Sequence, residues 1–107
     1  MDTINDFLKR TLTNNTYGDY VIQELRPHIK CADGFTISVQ ASKGHYCSPR
    51  VDGDVRYDKV ELGFPSIEES LIMGYAEDPD EPTDTVYGYV PIEIVNKLIE
   101  KHGGIVN

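Results

Sequence analysis

The clearest structural signal in the chain is an alternation of apolar and polar residues between positions 35 and 42. Phe35, Ile37, Val39 and Ala41 alternate there with Thr36, Ser38, Gln40 and Ser42. Because successive side chains of a β-strand point to opposite faces, this period of two predicts a strand with one face in the core. The turn signal Asp33-Gly34 sets its start. The rest of the chain must supply a layer that covers this face.

Two further strands are predicted downstream. Segment 57–64 places Val60, Leu62 and Phe64 on one face and Lys59 and Glu61 on the other. Segment 84–90 places Val86, Gly88 and Val90 opposite Thr85, Tyr87 and Tyr89. We expect the first two strands to pair antiparallel, joined by the polar segment 43–54 with a turn at Asp52-Gly53. Ser66 and Glu69 have the spacing of a cap for a short helical turn.

Helical periodicity recurs in three segments. Segment 4–13 repeats apolar residues at Ile4, Phe7, Leu8 and Leu12, and a second repeat at Tyr17, Tyr20, Val21 and Leu25 continues until Pro27. A third helix is predicted from Pro91 to His102, with an apolar stripe of Ile94, Val95, Leu98 and Ile99. Proline suits a first helical turn, and Gly103-Gly104 stops the helix.

The order helix, helix, strand, strand, strand, helix predicts an α+β fold. We expect a small antiparallel sheet of about three to four strands, covered on one face by two or three helices. The other face would be partly solvated and would carry Gln40, Lys59, Glu61, Tyr87 and Tyr89. The 107 residues fit a single domain spanning residues 1–107.

Negative charge is concentrated between Asp52 and Asp84. This stretch holds eleven of the eighteen acidic residues and only two basic ones, in a chain of net charge −8. Such a surface repels nucleic acid and attracts proteins that bind nucleic acid. The basic residues are scattered, so we expect no direct binding to nucleic acid.

The acidic segment 77–84 is the densest part of that stretch. It holds five carboxylates and two prolines that we expect to keep it extended, so its charges are either solvated or matched by a cationic partner. Calcium is a weaker alternative because the glycine and the bidentate glutamate of an EF-hand are missing. Tyrosines flank the segment, and tyrosine is enriched at interfaces, although these rings could equally pack on the protein itself. The predicted partner-binding residues are Glu68, Glu69, Tyr75, Glu77, Asp78, Asp80, Glu81, Asp84, Tyr87 and Tyr89.

A second candidate site lies in the loop around residues 45–50. His45, Tyr46, Cys47 and Arg50 form an alternative ligand-binding set, since binding residues concentrate on loops and Arg50 can hold an anion or pair with Asp52 or Asp54. His28 and Cys31 with His45 and Cys47 are four potential zinc ligands, but they lack the usual C-x-x-C knuckles. Cys47 with His45 lacks a third group to orient the histidine. We therefore predict no metal, no cofactor and no enzymatic activity.

Location follows from what the sequence lacks. No apolar run approaches the length of a transmembrane helix, and the N-terminus does not resemble a signal peptide. We expect a cytoplasmic protein with no membrane partner. Its two cysteines would remain thiols there, with a disulfide as the alternative.

Most of the chain, from about Gly34 to Ile105, resembles small uncharacterised proteins of phages and prophages. The resemblance is carried by SVQAS at 38–42, HYCSPR at 45–50, VELGFPS at 60–66, and VYGYVP at 86–91 leading into the helix that ends with HGGI at 102–105. It implies a phage or mobile-element origin, in a bacterial host, and assigns no catalytic residue. Small acidic proteins of that origin often look like anti-CRISPR or other anti-defence inhibitors, many of which occupy the cationic channel where a nuclease complex holds DNA.

The sequence thus predicts a non-enzymatic, anti-CRISPR-like inhibitor that mimics DNA. Its partner would be a host protein or ribonucleoprotein complex with a basic surface. The alternative is a small-ligand or zinc-binding module centred on the 45–50 loop, without catalysis.

Overall fold

The computed structural model describes residues 3–107 and has an α+β fold. The elements are α1 (Thr3–Arg10), β1 (Asn14–Tyr17), β2 (Tyr20–Gln23), β3 (Ile29–Lys30), β4 (Thr36–Gln40), β5 (Lys59–Gly63), a 3-10 turn (Met73–Tyr75), β6 (Val86–Pro91) and α2 (Ile92–Lys101). The predicted fold class is confirmed. Strands β3 to β6 form a sheet in that order, and β1 and β2 form a separate hairpin.

The four-stranded sheet is antiparallel throughout. Val39 lies opposite Leu62, and Val60 lies opposite Val90, so the apolar side chains of three strands meet on one face. The helices cover that face. One continuous core joins Ile4, Phe7 and Leu8 of α1 and Val95, Leu98 and Ile99 of α2 to Ile37, Val39, Val60, Leu62 and Val90 of the sheet.

Helix α2 confirms the last predicted helix. Pro91 precedes its first turn, and three residues of the predicted stripe are buried while Ile94 is half-buried. After the helix, Gly103 and Gly104 adopt φ angles of 90° and 89°. A side chain would be strained in that region, and a Cβ on Gly103 would approach the Cβ of Ala32 to 2.9 Å. Glycine therefore allows the chain to turn back beside β3.

The predicted second helix over 17–26 is wrong, because this part of the chain is a β-hairpin. Asn14 pairs with Gln23 and Tyr17 with Tyr20, across the two-residue turn Gly18-Asp19. Gly18 has φ 62°, a left-handed conformation typical of such tight turns. The helical spacing of the tyrosines is coincidental, since their β-forming neighbours and the turn glycine favour a hairpin. Every hairpin residue except Gln23 is exposed, so no core stabilises a helix here.

The alternation in β5 also predicts the wrong face for Phe64. Val60 and Leu62 face the core as predicted, but the strand ends at Gly63 and Phe64 turns outward with 45% exposure. Its φ of 51° lies in the left-handed region, which is unusual for a residue with a large side chain. The main chain is held there because the Phe64 amide donates to the carbonyl of Thr85.

A β-bulge in β6 places Tyr87 and Tyr89 on opposite faces, whereas the alternation predicts both on the open face. Val60 pairs with Val90 and Leu62 with Tyr87, so Gly88 and Tyr89 together lie opposite one residue of β5. The extra residue moves Tyr87 into the core, with 0% exposure, and turns Tyr89 outward with φ 54°. The expectation that Tyr87 lies on the open face is therefore wrong.

Gln40, predicted on the open face, is buried. Its side chain forms two hydrogen bonds with the main chain of Arg26. It accepts from the Arg26 amide at 3.0 Å and donates to the Arg26 carbonyl at 2.8 Å. The segment after the hairpin thus covers part of the outer face of the sheet. Glu61, in contrast, is half-buried there, and Lys59 is exposed.

Candidate functional site

The acidic loop, residues 77–84, is folded on itself, so the prediction of an extended segment is wrong. The Glu81 amide donates to the Asp78 carbonyl at 3.1 Å, and the Asp84 amide donates to the Glu81 carbonyl at 2.9 Å. At the base of the loop, the Asp78 amide donates to Thr85 Oγ1 at 3.0 Å. Two successive turns therefore fix the backbone that carries the five carboxylates.

The five carboxylate side chains all point into solvent. Glu77, Asp78, Asp80, Glu81 and Asp84 are exposed. Within residues 3–107, none of them has a lysine, arginine or histidine nitrogen within 4.0 Å. The loop therefore presents a dense negative charge that the described part of the chain does not neutralise.

Tyr87 holds this loop from below. Its hydroxyl donates to the carbonyl of Pro82 at 2.5 Å and lies 3.9 Å from the sulfur of Met73. Burial raises the pKa of the Tyr87 phenol, and the nearby Glu68 carboxylate raises it further. Tyr87 is predicted from the sequence to contact a partner, but the structure gives it the role of a buried support for the acidic loop.

The other predicted partner-binding residues separate into two groups. Glu68 and Tyr89 are exposed, whereas Tyr75 is half-buried and packs against the core. Glu69, in contrast, is only 2% exposed. The exposed part of the predicted site is therefore Glu68, Glu77, Asp78, Asp80, Glu81, Asp84 and Tyr89.

Glu69 belongs to a charge cluster with Asp33, Lys101 and His102, in which Glu69 and His102 are buried and the other two residues are exposed. His102 lies between two carboxylates, with Nδ1 2.6 Å from Asp33 Oδ2 and Nε2 2.5 Å from Glu69 Oε1. Lys101 Nζ donates to the other oxygen of Glu69 at 2.9 Å. Both ring nitrogens of His102 therefore face carboxylate oxygens. The ring also stacks on Phe35, with centroids 4.0 Å apart.

The cluster shifts the pKa of both carboxyl groups downward. The Phe35 amide, followed by His102, lowers the pKa of Asp33. Burial raises the pKa of Glu69, but the hydrogen bonds from Lys101 and His102 outweigh it and leave that pKa below its usual value. Sequence reasoning missed this cluster, because Glu69 lies more than thirty residues from His102 and no local pattern joins them. With both histidine nitrogens occupied, the arrangement stabilises the fold and leaves no free base.

The 45–50 loop divides between core and surface. Cys47 is 1% exposed and its thiol donates to the Ser42 carbonyl at 3.1 Å, while His45 Nδ1 lies 2.7 Å from Ser42 Oγ. Burial raises the pKa of Cys47, as it does for Cys31. The Cys47 thiol is therefore neither charged nor accessible, which argues against its predicted part in ligand binding.

The outer part of that loop forms an aromatic surface. The rings of Tyr46 and Tyr89 lie 5.9 Å apart, and the Arg50 guanidinium lies 5.7 Å from the Tyr46 centroid. Arg50 does not pair with Asp52 or Asp54, which lie within 4.0 Å of Lys43 and Lys9 respectively. Tyr46, Arg50 and Tyr89 are thus available to an interface.

The four residues considered as zinc ligands are not brought together. Cys31 and Cys47 are free and buried, His28 is exposed on another segment, and His45 is engaged with Ser42. Across residues 3–107, no three His, Cys, Asp or Glu side chains are placed to hold a metal ion together.

Thiol reactivity provides a direct check of this burial. We expect neither cysteine of the native protein to react with iodoacetamide within the time in which both react in urea, because burial raises the pKa of each thiol and blocks access. Intact-mass spectrometry after quenching would count the modified thiols. Rapid single alkylation of the folded protein at Cys47 would contradict the placement of this side chain in the core.

Comparison of the chain with family models, with curated proteins and with solved structures finds no significant match. The geometry of the site therefore carries the functional argument. Within the part of the chain that the structure describes, neither helix has the length and apolar character needed to cross a bilayer.

Proposed function

We propose that this protein is a small acidic inhibitor that occupies the basic, nucleic-acid-binding surface of a host defence complex, as an anti-CRISPR protein of the DNA-mimic type does. One observation supports this most directly. The acidic loop presents five exposed carboxylates on a backbone fixed by its own hydrogen bonds, without a cationic neighbour among residues 3–107.

A fixed backbone makes this charge effective for recognition. Exposed carboxylates repel one another, and this repulsion is relieved when a cationic partner binds. Because the turns hold the loop in one form before binding, the protein loses less conformational freedom than a disordered acidic tail would. Complementary charge also steers the encounter and speeds association, more strongly at low salt.

The surrounding surface adds groups that suit an interface. Glu68 extends the negative charge, and Tyr89 with Tyr46 offers exposed aromatic area next to Arg50. Tyrosine and arginine are the residue types that most often anchor interfaces. The resemblance to phage proteins supports the more specific proposal that the partner belongs to a bacterial defence system.

Charge neutralisation tests the proposal. We would replace the five acids of the loop by their amides, as Glu77→Gln, Asp78→Asn, Asp80→Asn, Glu81→Gln and Asp84→Asn. The change at Asp78 retains a side-chain oxygen that can accept from the amide of residue 80, so the turn is preserved. We expect binding to purified CRISPR effector complexes to weaken by about fivefold or more, given about 0.2 to 1 kcal/mol for each of the exposed charge interactions.

A matched variant controls for net charge. It carries amides at five exposed acids outside the 52–84 stretch, namely Asp6, Asp19, Glu24, Glu93 and Glu100. We expect it to bind and inhibit DNA cleavage like the wild type. The wild-type affinity should fall between about 50 and about 200 mM salt, and the loop variant should show a shallower fall. Inhibition that is unchanged in the loop variant would refute the acidic-loop mechanism.

A further inference from the structure

A cavity of about 380 Å³ lies on the outer face of the sheet, under the segment that follows the hairpin. Its volume is within the range of ligand-binding pockets. It is lined by residues of β4, β5 and β6 and by Leu25, Arg26 and His28 of the segment after the hairpin. The lining residues used below are Leu25, Arg26, Gln40, Glu61, Phe64 and Val86.

Glu61 is the one carboxylate among the residues that line this cavity. Its Oε1 accepts only a long hydrogen bond from the Tyr46 amide, at 3.3 Å, and within residues 3–107 no cationic nitrogen lies within 4.0 Å of it. Arg26 also lines the cavity, but its guanidinium donates to the carbonyls of Leu8 and Ala41. A half-buried carboxylate in this setting favours a cationic ligand.

The remaining walls are apolar and partly exposed. Leu25 is 72% exposed and Phe64 is 45% exposed, and Val86, the first residue of β6, is half-buried. Phe64 reaches this position only through a left-handed backbone conformation, with φ 51°. Such strained positions concentrate at functional sites, and here the strained residue is an exposed aromatic one that lines the cavity.

The cavity and the acidic loop share a wall. The Phe64 amide donates to the Thr85 carbonyl, and Thr85 Oγ1 accepts from the Asp78 amide. The Glu77 amide donates to the carbonyl of Val86, a lining residue. A cationic surface drawn to the loop would therefore lie directly beside the cavity.

We propose that the cavity receives an arginine side chain of the partner, an inference that rests on the function proposed above. The guanidinium would pair with the Glu61 carboxylate through two parallel hydrogen bonds. The aliphatic stem would lie along Leu25 and Val86, and Phe64 would face the guanidinium plane. The acidic loop attracts the basic partner, and the cavity selects one side chain from it.

Peptide titration followed by NMR tests the assignment. The ¹⁵N-labelled protein would be titrated with acetyl-Ala-Arg-Ala-amide and with the same peptide carrying citrulline, which is isosteric with arginine but neutral. We expect saturable chemical-shift changes at the amides of Gly63, Phe64 and Val86 with the arginine peptide, and none with the citrulline peptide. Glu61→Gln keeps the acceptor for the Tyr46 amide and removes the charge, so affinity should fall by about tenfold or more.

Two further arms separate this inference from the proposed function and from a free guanidine ligand. The loop-neutralised variant should retain the shifts at Gly63 and Phe64, because Glu61 is unchanged in it. Shifts confined to residues 77–84, equal binding of the citrulline peptide, or equal binding by Glu61→Gln would each overturn the cavity assignment while leaving the acidic-loop proposal intact. If agmatine binds more than about tenfold tighter than the arginine peptide, the cavity assignment would also be overturned, because the ligand would then be a small guanidinium compound and not a side chain of a partner.

Discussion

Replacing Glu69 by alanine is expected to lower the free energy of unfolding by about 3 kcal/mol or more, whereas the same change at its neighbour Glu68 should have an effect below about 0.5 kcal/mol. Glu69 is 2% exposed and pairs with both His102 and Lys101. Removing it leaves the buried His102 ring without one of its two carboxylates. A buried charge that loses its partner carries a desolvation cost that the unfolded state does not have.

Urea unfolding at neutral pH would measure the effect. Glu69→Gln keeps the size of the side chain and one acceptor oxygen, so we expect an intermediate loss of stability. Glu68→Ala is the matched control, since it removes the same carboxylate one residue earlier from an exposed position. Similar stabilities of the Glu68 and Glu69 variants would contradict the burial of Glu69 in this cluster and would indicate that its side chain is exposed.

The pH profile gives a second measurement of the same cluster. The pKa of Glu69 is lower in the folded protein than the ordinary value of 4.5, because Lys101 and His102 stabilise its charge more than burial destabilises it. Its contribution to stability is therefore complete above pH 4.5 and is lost as the pH falls through the folded-state pKa. We expect the wild type to lose stability more steeply than Glu69→Ala below pH 4.5.

The parts of the fold that local patterns determine were predictable from the sequence. Strands β4 and β5 followed from the period of two, and α2 followed from its apolar stripe with a proline before it and glycines after it. Each pattern arises because one face of the element is buried, and these faces are buried together in the single core of the structure. The α+β class followed from the order of these elements.

The hairpin and the bulge were not predictable because they depend on contacts that the pattern does not record. Tyr17 and Tyr20 have helical spacing, yet they face each other across a turn made by Gly18-Asp19. The β6 alternation predicts Tyr87 outside, but the extra residue at Gly88-Tyr89 reverses it. A bulge of one residue reverses the faces on one side of it relative to the other, so Tyr87, before the bulge, faces the core together with Val90 after it.

The candidate site shows the same division. The exposure of the acidic loop agrees with its composition, since five carboxylates cannot be buried together without cations. No local pattern indicates that the loop is folded into two turns or that a tyrosine holds it from below. The Asp33, Glu69 and His102 cluster joins residues far apart in the chain, and the cavity around Glu61 forms only because the segment after the hairpin crosses the sheet.

Tyr87 supports the acidic loop, and two substitutions separate its contributions. Tyr87→Ala removes a side chain with 0% exposure and should lower the free energy of unfolding by about 3 kcal/mol or more, as large-to-small changes in a core do. Tyr87→Phe keeps the ring and removes only the hydroxyl that donates to Pro82, with an expected loss of about 1 kcal/mol. Tyr89→Ala, at a residue 43% exposed, should cost less than the alanine change at Tyr87.

The phenylalanine variant also tests whether a fixed loop is needed for binding. Without the hydroxyl, the turns at Glu81 and Asp84 lose a support, so the amides of these residues should exchange with solvent faster while those of β5 remain protected. Because all five carboxylates remain, any loss of affinity for the partner would arise from the less ordered loop and not from charge. Unfolding in urea, amide exchange and binding would be measured on the same preparation. Equal exchange of the Glu81 and Asp84 amides in the wild type and Tyr87→Phe would show that the turns hold the loop without the tyrosine.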